Sequence, residues 1–332
     1  MDIPRDHFLR LGIIIALLLA PILAASAQPL DHQQTIEKEF TVSPGQTLTL
    51  VSDLGAVKVT SGTGNNLIVR VIKGVESGDR ARAEHYFDRF EVEMRQTNQG
   101  VEIEGHYDNP NVRRGRNPLR VVYEIQVPRT FDVDLKTAGG AISIAGVDGD
   151  VRMRTSGGSI SVSDIGGMVM AHTSGGSVSA DNIVGNTTLE TSGGSISVRD
   201  MEGAIKLETS GGSITAERVD GDLYAHTSGG SVRLAELRGS AEASTSGGSV
   251  TADVLGQPAG KLDLSTSGGS VTVRVDPSIR ASVVASASGG RVNSELPIAG
   301  SLERTHVRGD LNGGGPALSL RSSGGSVNIL QR

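Results

Sequence analysis

The sequence TSGGSISVRDMEGAIKLE at residues 191–208 is the clearest copy of an 18-residue unit that decides the fold of this chain. Its Ser-Gly-Gly tripeptide begins at positions 156, 174, 192, 210, 228, 246, 267, 288 and 323, and a variant, AGG, begins at 138. The steps from 138 to 246 are all 18 residues, the next two are 21, and the last is 35. A fixed period of this kind is typical of a solenoid, in which each repeat packs on its neighbours.

Aligned copies of the unit place apolar residues in columns. A second apolar column, from Ile144 to Val273, follows two residues after the first, and a mostly hydroxylated column from Ser143 to Thr272 lies between them. This alternation predicts a strand with one buried face, and the run at 205–209 predicts a second strand in each coil. The Gly-Gly pair and the later Gly are predicted to form corners with positive φ. The first apolar column consists of Ile142, Ile160, Val178, Ile196, Ile214, Val232, Val250 and Val271.

The predicted fold class is all-β: a single-stranded-coil parallel β-solenoid of β-helix or β-roll type, with 18-residue coils and a short helical N-terminal cap. Residues 28–136 are predicted to contain N-terminal strands, a degenerate first coil at 52–59 and the helix at 79–90 with Asp79 as its N-cap. The regular solenoid is predicted over 137–332. It contains a C-terminal insertion at about 296–321, and the last coil at 322–330 completes the rod.

The composition excludes several classes of protein. The 332 residues contain no Cys, which excludes a thiol nucleophile, a Cys-zinc site, an iron–sulfur centre and a disulfide framework. The 45 Gly residues do not recur every third position, so the chain is not a collagen. The formal charge of −6 gives no reason to expect nucleic acid as a partner.

The first 27 residues are predicted to be an export signal. Arg5 and Arg10 lie in a short polar start, and an apolar run from Leu11 to Ala25 follows. Ala25-Ser26-Ala27 then fits the small-residue cleavage rule. Cleavage there would leave a mature chain that starts at Gln28 and has no integral membrane span. The alternative is an uncleaved N-terminal anchor, although a run of about 15 residues is short for a span. The predicted location is the periplasm, the outer-membrane surface or the extracellular space.

Features along the whole chain carry a resemblance to one family. They are the degenerate copy at 52–59, the Val127-Pro128 lead-in, the serial Ser-Gly-Gly coils and the ending RGDLNGGGPALSLRSSGGSVNIL at 308–330. On these features the chain resembles the "putative adhesin" family of exported bacterial β-solenoid proteins, a domain of unknown function. The resemblance covers almost all of the mature chain. It implies a solenoid fold and implies no catalytic residues.

The outward residues of the coils offer few candidates for chemistry. A calcium β-roll needs Gly-Gly-x-Gly-x-Asp, whereas Gly-Gly is followed here by Ser-Ile-Ser. The polar column of Asp164, Asn182, Asp200, Arg218 and Glu236 is interrupted by its arginine, so we interpret it as solvated turn residues. No metal and no cofactor are predicted.

A carbohydrate-active enzyme is the main alternative to a binding protein. His172, Glu190, Glu208 and His226 share one outward column, which we interpret as a mixed-charge face and not as a catalytic site. The discriminating observation is whether a groove brings two carboxylates within about 10 Å. Because the regular coils contain one aromatic residue, Tyr224, a sugar groove is expected near Tyr86, Phe87 or Tyr107 at the N-terminal end.

Two adjacent rows of hydroxyl residues form the candidate interaction face. A regular hydroxyl lattice is related to that of ice-binding solenoids, but Arg233 interrupts it, and we favour a soluble polar face. The tripeptide at 308–310 matches an integrin-binding motif, which we interpret as coincidence. The candidate face consists of Ser159, Ser161, Ser177, Ser179, Ser195, Ser197, Ser213, Thr215 and Ser231.

The sequence therefore predicts a non-enzymatic, exported β-solenoid that acts as an adhesin-like or cell-envelope interaction module. Its partner would be an unidentified cell-envelope or surface ligand. Self-association is a further prediction, and an ice-binding protein or a scaffold that assembles end to end are the lesser alternatives.

Overall fold

The computed structural model describes residues 32–76, 79–108 and 118–332. The described residues contain one helix, α1 (Arg80–Asp88), and 29 strands in two sheets. The 14 strands of sheet A are β1 (His32–Thr41), β3 (Ala56–Gly62), β4 (Asn66–Val75), β7 (Leu119–Pro128), β9 (Ile142–Ala145), β11 (Ile160–Gly166), β13 (Val178–Val184), β15 (Ile196–Glu202), β17 (Ile214–Asp220), β19 (Val232–Leu237), β21 (Val250–Val254), β23 (Val271–Val275), β25 (Val292–Ser294) and β29 (Val327–Gln331). The 15 strands of sheet B are β2 (Thr47–Ser52), β5 (Phe90–Thr97), β6 (Gly100–Tyr107), β8 (Asp132–Thr137), β10 (Val151–Thr155), β12 (Val169–Thr173), β14 (Thr187–Thr191), β16 (Ile205–Thr209), β18 (Leu223–Thr227), β20 (Ala241–Thr245), β22 (Leu262–Thr266), β24 (Ala281–Ala287), β26 (Ala299–Leu302), β27 (His306–Leu311) and β28 (Ala317–Ser322).

Consecutive coils pair in parallel with equivalent residues side by side. In sheet A, Ile160 pairs with Val178, and Val178 pairs with Ile196. In sheet B, Val169 pairs with Thr187, and Thr187 pairs with Ile205. The predicted all-β architecture with parallel strands is therefore confirmed, and each coil contributes one strand to each sheet.

The core lies between the two sheets, where the inward residues of every coil meet. Ile196 is 1% exposed, whereas the next residue, Ser197, faces solvent. The alternation predicted for the first strand of each coil has the observed register. Each of these coils has a further apolar position before its corner glycine, at Ile165, Ile183 and Met201, which is also buried. This position belongs to the strand of sheet A, so the coil has no separate third side there.

The prediction that the Gly-Gly pair forms a corner with positive φ is wrong. Its glycines do not have positive φ; the second glycine is required because neighbouring coils approach closely there. A Cβ on Gly194 would lie 2.1 Å from the carbonyl oxygen of Gly176 in the preceding coil. The later glycine follows the prediction, since Gly203 has φ of 123°. The left-handed residue of each coil is a polar one, Asp164, Asn182, Asp200, Arg218 or Glu236, with φ between 52° and 56°.

A buried threonine precedes seven of the nine Ser-Gly-Gly turns and connects adjacent coils. The hydroxyl of Thr191 donates to the carbonyl oxygen of Gly176 at 2.7 Å and accepts a bond from the amide of Gly194 at 3.3 Å. The same pair of contacts recurs at Thr155, Thr173, Thr209, Thr227, Thr245 and Thr266. These internal hydroxyls satisfy backbone groups at the corner that would otherwise be buried without partners.

The N-terminal strands do not stack in chain order. The degenerate copy at 52–59 has the predicted register, because Val57 pairs with Ile142 and Val59 with Ile144. It is not the terminal layer, however. In sheet A, β7 lies beyond β3, and the antiparallel strands β4 and then β1 follow it to the edge. In sheet B, β6 lies beyond β2, and the antiparallel strand β5 forms the edge.

The C-terminal strands contradict the expectation that residues 322–330 complete the rod. Strand β28 lies between β22 and β24, and β29 lies between β23 and β25. The last coil is therefore inserted between two earlier ones. The hairpin of β26 and β27 lies outside β24, so the outermost residues at this end precede the last coil in the sequence.

Helix α1 lies next to β1, β4 and β5. Asp79 occupies the predicted N-cap, and its carboxylate accepts a bond from the amide of Ala81 at 3.0 Å. Ala83 and Phe87 are buried. The buried Lys73 of β4 donates to the carbonyl oxygens of Phe87 and Phe90, and burial lowers the pKa of Lys73.

The predicted export signal and its cleavage site lie outside the described residues. Within the described ranges, no helix combines the length and the apolar character needed to cross a membrane.

Candidate binding faces of the two sheets

The predicted hydroxyl face lies on the outward side of sheet A, and its residues are exposed except for Thr215, which is half-buried. One of its two rows also has an internal role. The hydroxyl oxygen of Ser177 accepts a bond from the amide of Ser195 at 3.3 Å, and that of Ser195 accepts one from Ser213 at 3.2 Å. The contacts continue through Ser231 and Ser249. These serines connect successive coils as well as facing solvent.

The second hydroxyl row borders a shallow depression. Ser161, Ser179 and Ser197 line it together with Asp181 and Arg199, and its volume is about 310 Å³. The guanidinium of Arg199 lies 3.4 Å from the carboxylate of Glu217.

The polar column considered for calcium forms pairs between coils. The amide of Asn182 donates to Asp164 at 2.7 Å, and Arg218 donates two bonds to Asp200 at 2.6 and 2.9 Å. The hydrogen bond from Arg218 lowers the pKa of Asp200. Each carboxylate of these two pairs already has a side-chain partner, which agrees with the interpretation as turn residues.

One other group of side chains has metal-ligand chemistry. Glu91, Glu93 and His106 place one ligand atom each within 4.8 Å of one another on β5 and β6. The two glutamates are exposed and His106 is half-buried. Sequence spacing did not indicate this group, because the antiparallel pairing of Glu91 with His106 brings its members together.

The outward face of sheet B carries the larger groove, which we name the Tyr224 groove. It has a volume of about 640 Å³ and is lined by residues of four consecutive strands, β14 to β20, and by corner residues before them. Tyr224 is half-buried. The lining includes Thr188, Ala204, Lys206, Glu208, Asp222, Tyr224, Ser240, Ala241, Glu242 and Lys261.

Charged groups on this face form ion pairs both within one strand and between neighbouring strands. Lys206 lies 2.9 Å from Glu208 and 3.6 Å from Glu190, and His172 lies 3.4 Å from Glu190. The hydrogen bond with Glu208 raises the pKa of Lys206. Since both carboxylates contact one ammonium, they lie within the separation of about 10 Å that is typical of the paired carboxylates of a glycoside hydrolase. His226 lies beside Glu208 on the adjacent strand, and its Nδ1 is 2.8 Å from the hydroxyl of Ser244.

A second groove, which we name the Arg152 groove, adjoins the first. It has a volume of about 300 Å³ and is lined by Arg152, Arg154, Met170, His172, Thr188 and Glu190, among others. Thr188 lines both grooves. The two grooves are therefore continuous on one face of sheet B.

Of the three aromatic residues expected near a sugar groove, Phe87 lines a groove of about 400 Å³ beside α1 at the N-terminal end. Phe87 and Tyr107 are buried at 6% and 8% exposure, and Tyr107 packs edge-on against Phe90 with the ring centroids 5.1 Å apart. Tyr224 is the aromatic residue that lines the larger groove. Its outward position in the strand alternation at 223–227 was the signal in the sequence that could have located it.

The comparison with known families agrees with this architecture. The family described as Toastrack DUF4097 matches residues 55–295, which span both the irregular N-terminal strands and most of the regular coils. The chain belongs to this family. The resemblance stated from the sequence is thereby confirmed.

Several solved structures are similar to the chain at low identity. A "putative adhesin" from Bacteroides fragilis is 13% identical, with coverage of 90% of this chain and 97% of that chain and a TM-score of 0.31. A "putative lipid binding protein" from Parabacteroides distasonis is 12% identical, with coverage of 89% and 96% and a TM-score of 0.40. A "putative adhesin" from the same species is 10% identical, with coverage of 90% and 97% and a TM-score of 0.39. No curated protein matches the chain.

Proposed function

We propose that this Toastrack protein is an exported, non-enzymatic interaction module that binds a ligand of the cell envelope or cell surface, as an adhesin does. The observation that carries the proposal is the Tyr224 groove, a long open surface to which four coils each contribute three or four residues. A surface of this kind suits a distributed contact with an extended ligand better than the enclosed pocket typical of small-molecule sites.

The arrangement of charges supports binding over catalysis. Lys206 lies between Glu190 and Glu208 and contacts both. Ion pairs of this kind hold the three side chains in place against one another. The pairs therefore suit a fixed polar surface.

Further parts of the proposal concern location and assembly. Residues 1–27 direct export, and the mature chain begins at Gln28 in the periplasm, at the outer membrane or outside the cell. The rod is built from 18-residue coils, and α1 serves as its N-terminal cap. Self-association would use the outermost strands, β1 at one end and β25 and β26 at the other. Nucleic acid is not a partner in this proposal.

The test combines binding and turnover. The purified protein is immobilised, a panel of cell-envelope polysaccharides is passed over it, and the flow-through is analysed for shortened chains. We expect saturable binding without products. Failure to bind any envelope material, or cleavage of a polysaccharide, would contradict the proposal.

A carbohydrate-active enzyme is the second candidate, and the proximity of Glu190 and Glu208 favours it. Paired carboxylates flank the scissile bond in most glycoside hydrolases. If the protein cleaves a glycan, Glu190→Gln or Glu208→Gln should abolish cleavage while binding persists. Asp263→Gln, on the same sheet face two coils beyond Tyr224, is the matched control and should leave cleavage unchanged.

Fractionation of cells that express a C-terminally tagged chain tests the location. Mass spectrometry of the exported protein should show Gln28 as its first residue. An intact Met1 on membrane-associated material would indicate the anchor instead.

A further inference from the structure

Two features of the outward face of sheet B point to the chemistry of its ligand. The Arg152 groove and the Tyr224 groove meet at Thr188, so one extended molecule can occupy both. The column that joins them runs from Arg152 through Met170, Thr188 and Lys206 to Tyr224. Its ends are four strand spacings apart, which is about 19 Å along the rod.

The Arg152 groove offers cations that the protein does not neutralise. Arg152 and Arg154 are exposed, and among the residues that the structure describes no carboxylate lies within 4.0 Å of either guanidinium. In contrast, Lys206 contacts two carboxylates. Guanidinium groups without a partner bind carboxylates through paired hydrogen bonds. The nearby Glu190 disfavours a doubly charged phosphate more than a singly charged carboxylate.

The Tyr224 groove has a different character. The phenol ring of Tyr224 is half-buried, and the small residues Ala204 and Ser240 line the groove at the corners of the neighbouring coils. Three carboxylates line the groove, on Glu208, Asp222 and Glu242, and Lys206 and Lys261 pair with two of them. Among its described lining residues the groove therefore has no unpaired cation for an anionic ligand, but its carboxylates accept hydrogen bonds from hydroxyl groups. A ring with an apolar surface and hydroxyl edges, such as an uncharged sugar, fits this combination of groups.

We propose that the outward face of sheet B binds an acidic glycan that contains both carboxylate-bearing and uncharged sugars, laid along the rod axis. A glycan carboxylate binds at Arg152 and Arg154, and an uncharged ring packs on Tyr224. This inference rests on the proposed function, since it names the ligand class of the same interaction module.

Isothermal titration with defined oligosaccharides tests the inference. The probes are a hyaluronan octasaccharide, in which acidic and uncharged sugars alternate, and a chitin hexasaccharide, which is uncharged. We expect the wild-type protein to bind the hyaluronan fragment at least tenfold more tightly. The double variant Arg152→Gln/Arg154→Gln should lose this preference while its weaker binding of the chitin fragment persists. Added salt should weaken binding of the hyaluronan fragment alone.

Variants of Tyr224 test the contact with the uncharged sugar ring separately from the contact of the arginines with the carboxylate. Tyr224→Ala should weaken binding of both probes about tenfold or more, and Tyr224→Phe should retain most of the affinity because the ring remains. Arg233→Gln, an exposed change on sheet A, is the control and should have no effect. Thermal melts establish that each variant is folded.

Two outcomes would overturn the inference. One is equal affinity of the wild-type protein for both probes, or no binding of the hyaluronan fragment. The other is wild-type affinity for the hyaluronan fragment in the double arginine variant. If either occurs while the protein still binds envelope material, the ligand class is wrong and the proposed function stands. If envelope binding is absent as well, both fail.

Discussion

At the residue scale, each position of the motif Thr-Ser-Gly-Gly-Ser has a physical reason. Thr191 bonds to the backbone of two coils, and Ser195 accepts an amide from the following coil. Gly194 stands between them where the stacked backbones leave no room for a Cβ. The motif therefore repeats because each copy makes the same set of contacts with the copy next to it.

The two glycines of one turn allow a matched comparison. Gly194→Ala places its Cβ 2.1 Å from a backbone oxygen, so the coils must separate, and we expect a loss of several kcal/mol in the free energy of unfolding. Gly193→Ala meets its nearest atom at 3.5 Å, an ordinary contact, and should cost less than ~1 kcal/mol. Urea denaturation of both variants measures the difference. Equal losses would show that close approach is not the reason for the second glycine.

The strand register gives a second pair of variants. Ile196→Asp buries an unpaired charge between the sheets and should cost several kcal/mol or prevent folding, whereas Ser197→Asp should cost under ~1 kcal/mol because its side chain faces water. Urea melts that gave similar midpoints for the two variants would contradict the observed alternation.

At the element scale, the coils on either side of a given coil have matching strands and could pair directly with each other in its absence. The strands β15 and β16 each pair with the equivalent strands of the coils on either side, and the residues that pair have matching character in every coil. Contacts of this kind reach only the nearest neighbours.

Deletion of residues 191–208 should therefore leave a folded protein. The rod should be shorter by about 4.8 Å, and its unfolding transition should remain cooperative. Small-angle scattering and circular dichroism measure the two properties. A deletion of nine residues over 191–199 is the control, because it brings non-equivalent residues into register and should prevent folding. A soluble, β-rich product from the control, or aggregation of the 18-residue deletion, would contradict the nearest-neighbour description.

At the scale of the whole molecule, the regular coils were predictable from the sequence and the ends were not. Alternation within each copy identifies inward residues such as Ile196, and a constant step identifies the neighbour of each strand. At both ends the stacking order departs from the chain order, as for β3 and β29, and periodicity contains no information on which strand is inserted where. The groove at Tyr224 was missed for a related reason, since it depends on residues of adjacent coils that only the stacked structure brings together.

The inserted last coil predicts an unusual effect of truncation. Removal of residues 317–332 takes away β28 and β29, so β22 loses one neighbour, β24 loses its parallel partner, and β25 loses its only partner in sheet A. We expect the truncated chain to lose the whole C-terminal end and to aggregate through exposed strand edges. Replacing residues 297–313 with a short Gly-Ser linker removes the outer hairpin instead and should be much less damaging. Limited proteolysis compares the two, and equal resistance would contradict this role of the last coil.

The position of β28 and β29 also relates the order of synthesis to the order of folding. The ribosome makes these strands after β22–β25, yet they occupy a slot between β22–β23 and β24–β25. This end of the rod therefore cannot reach its final arrangement until residues 317–332 have been made and have left the ribosome. A chain that crossed a membrane with its N terminus first would meet the same condition on the far side, where arrival of residues 317–332 would be the event that closes this part of the structure.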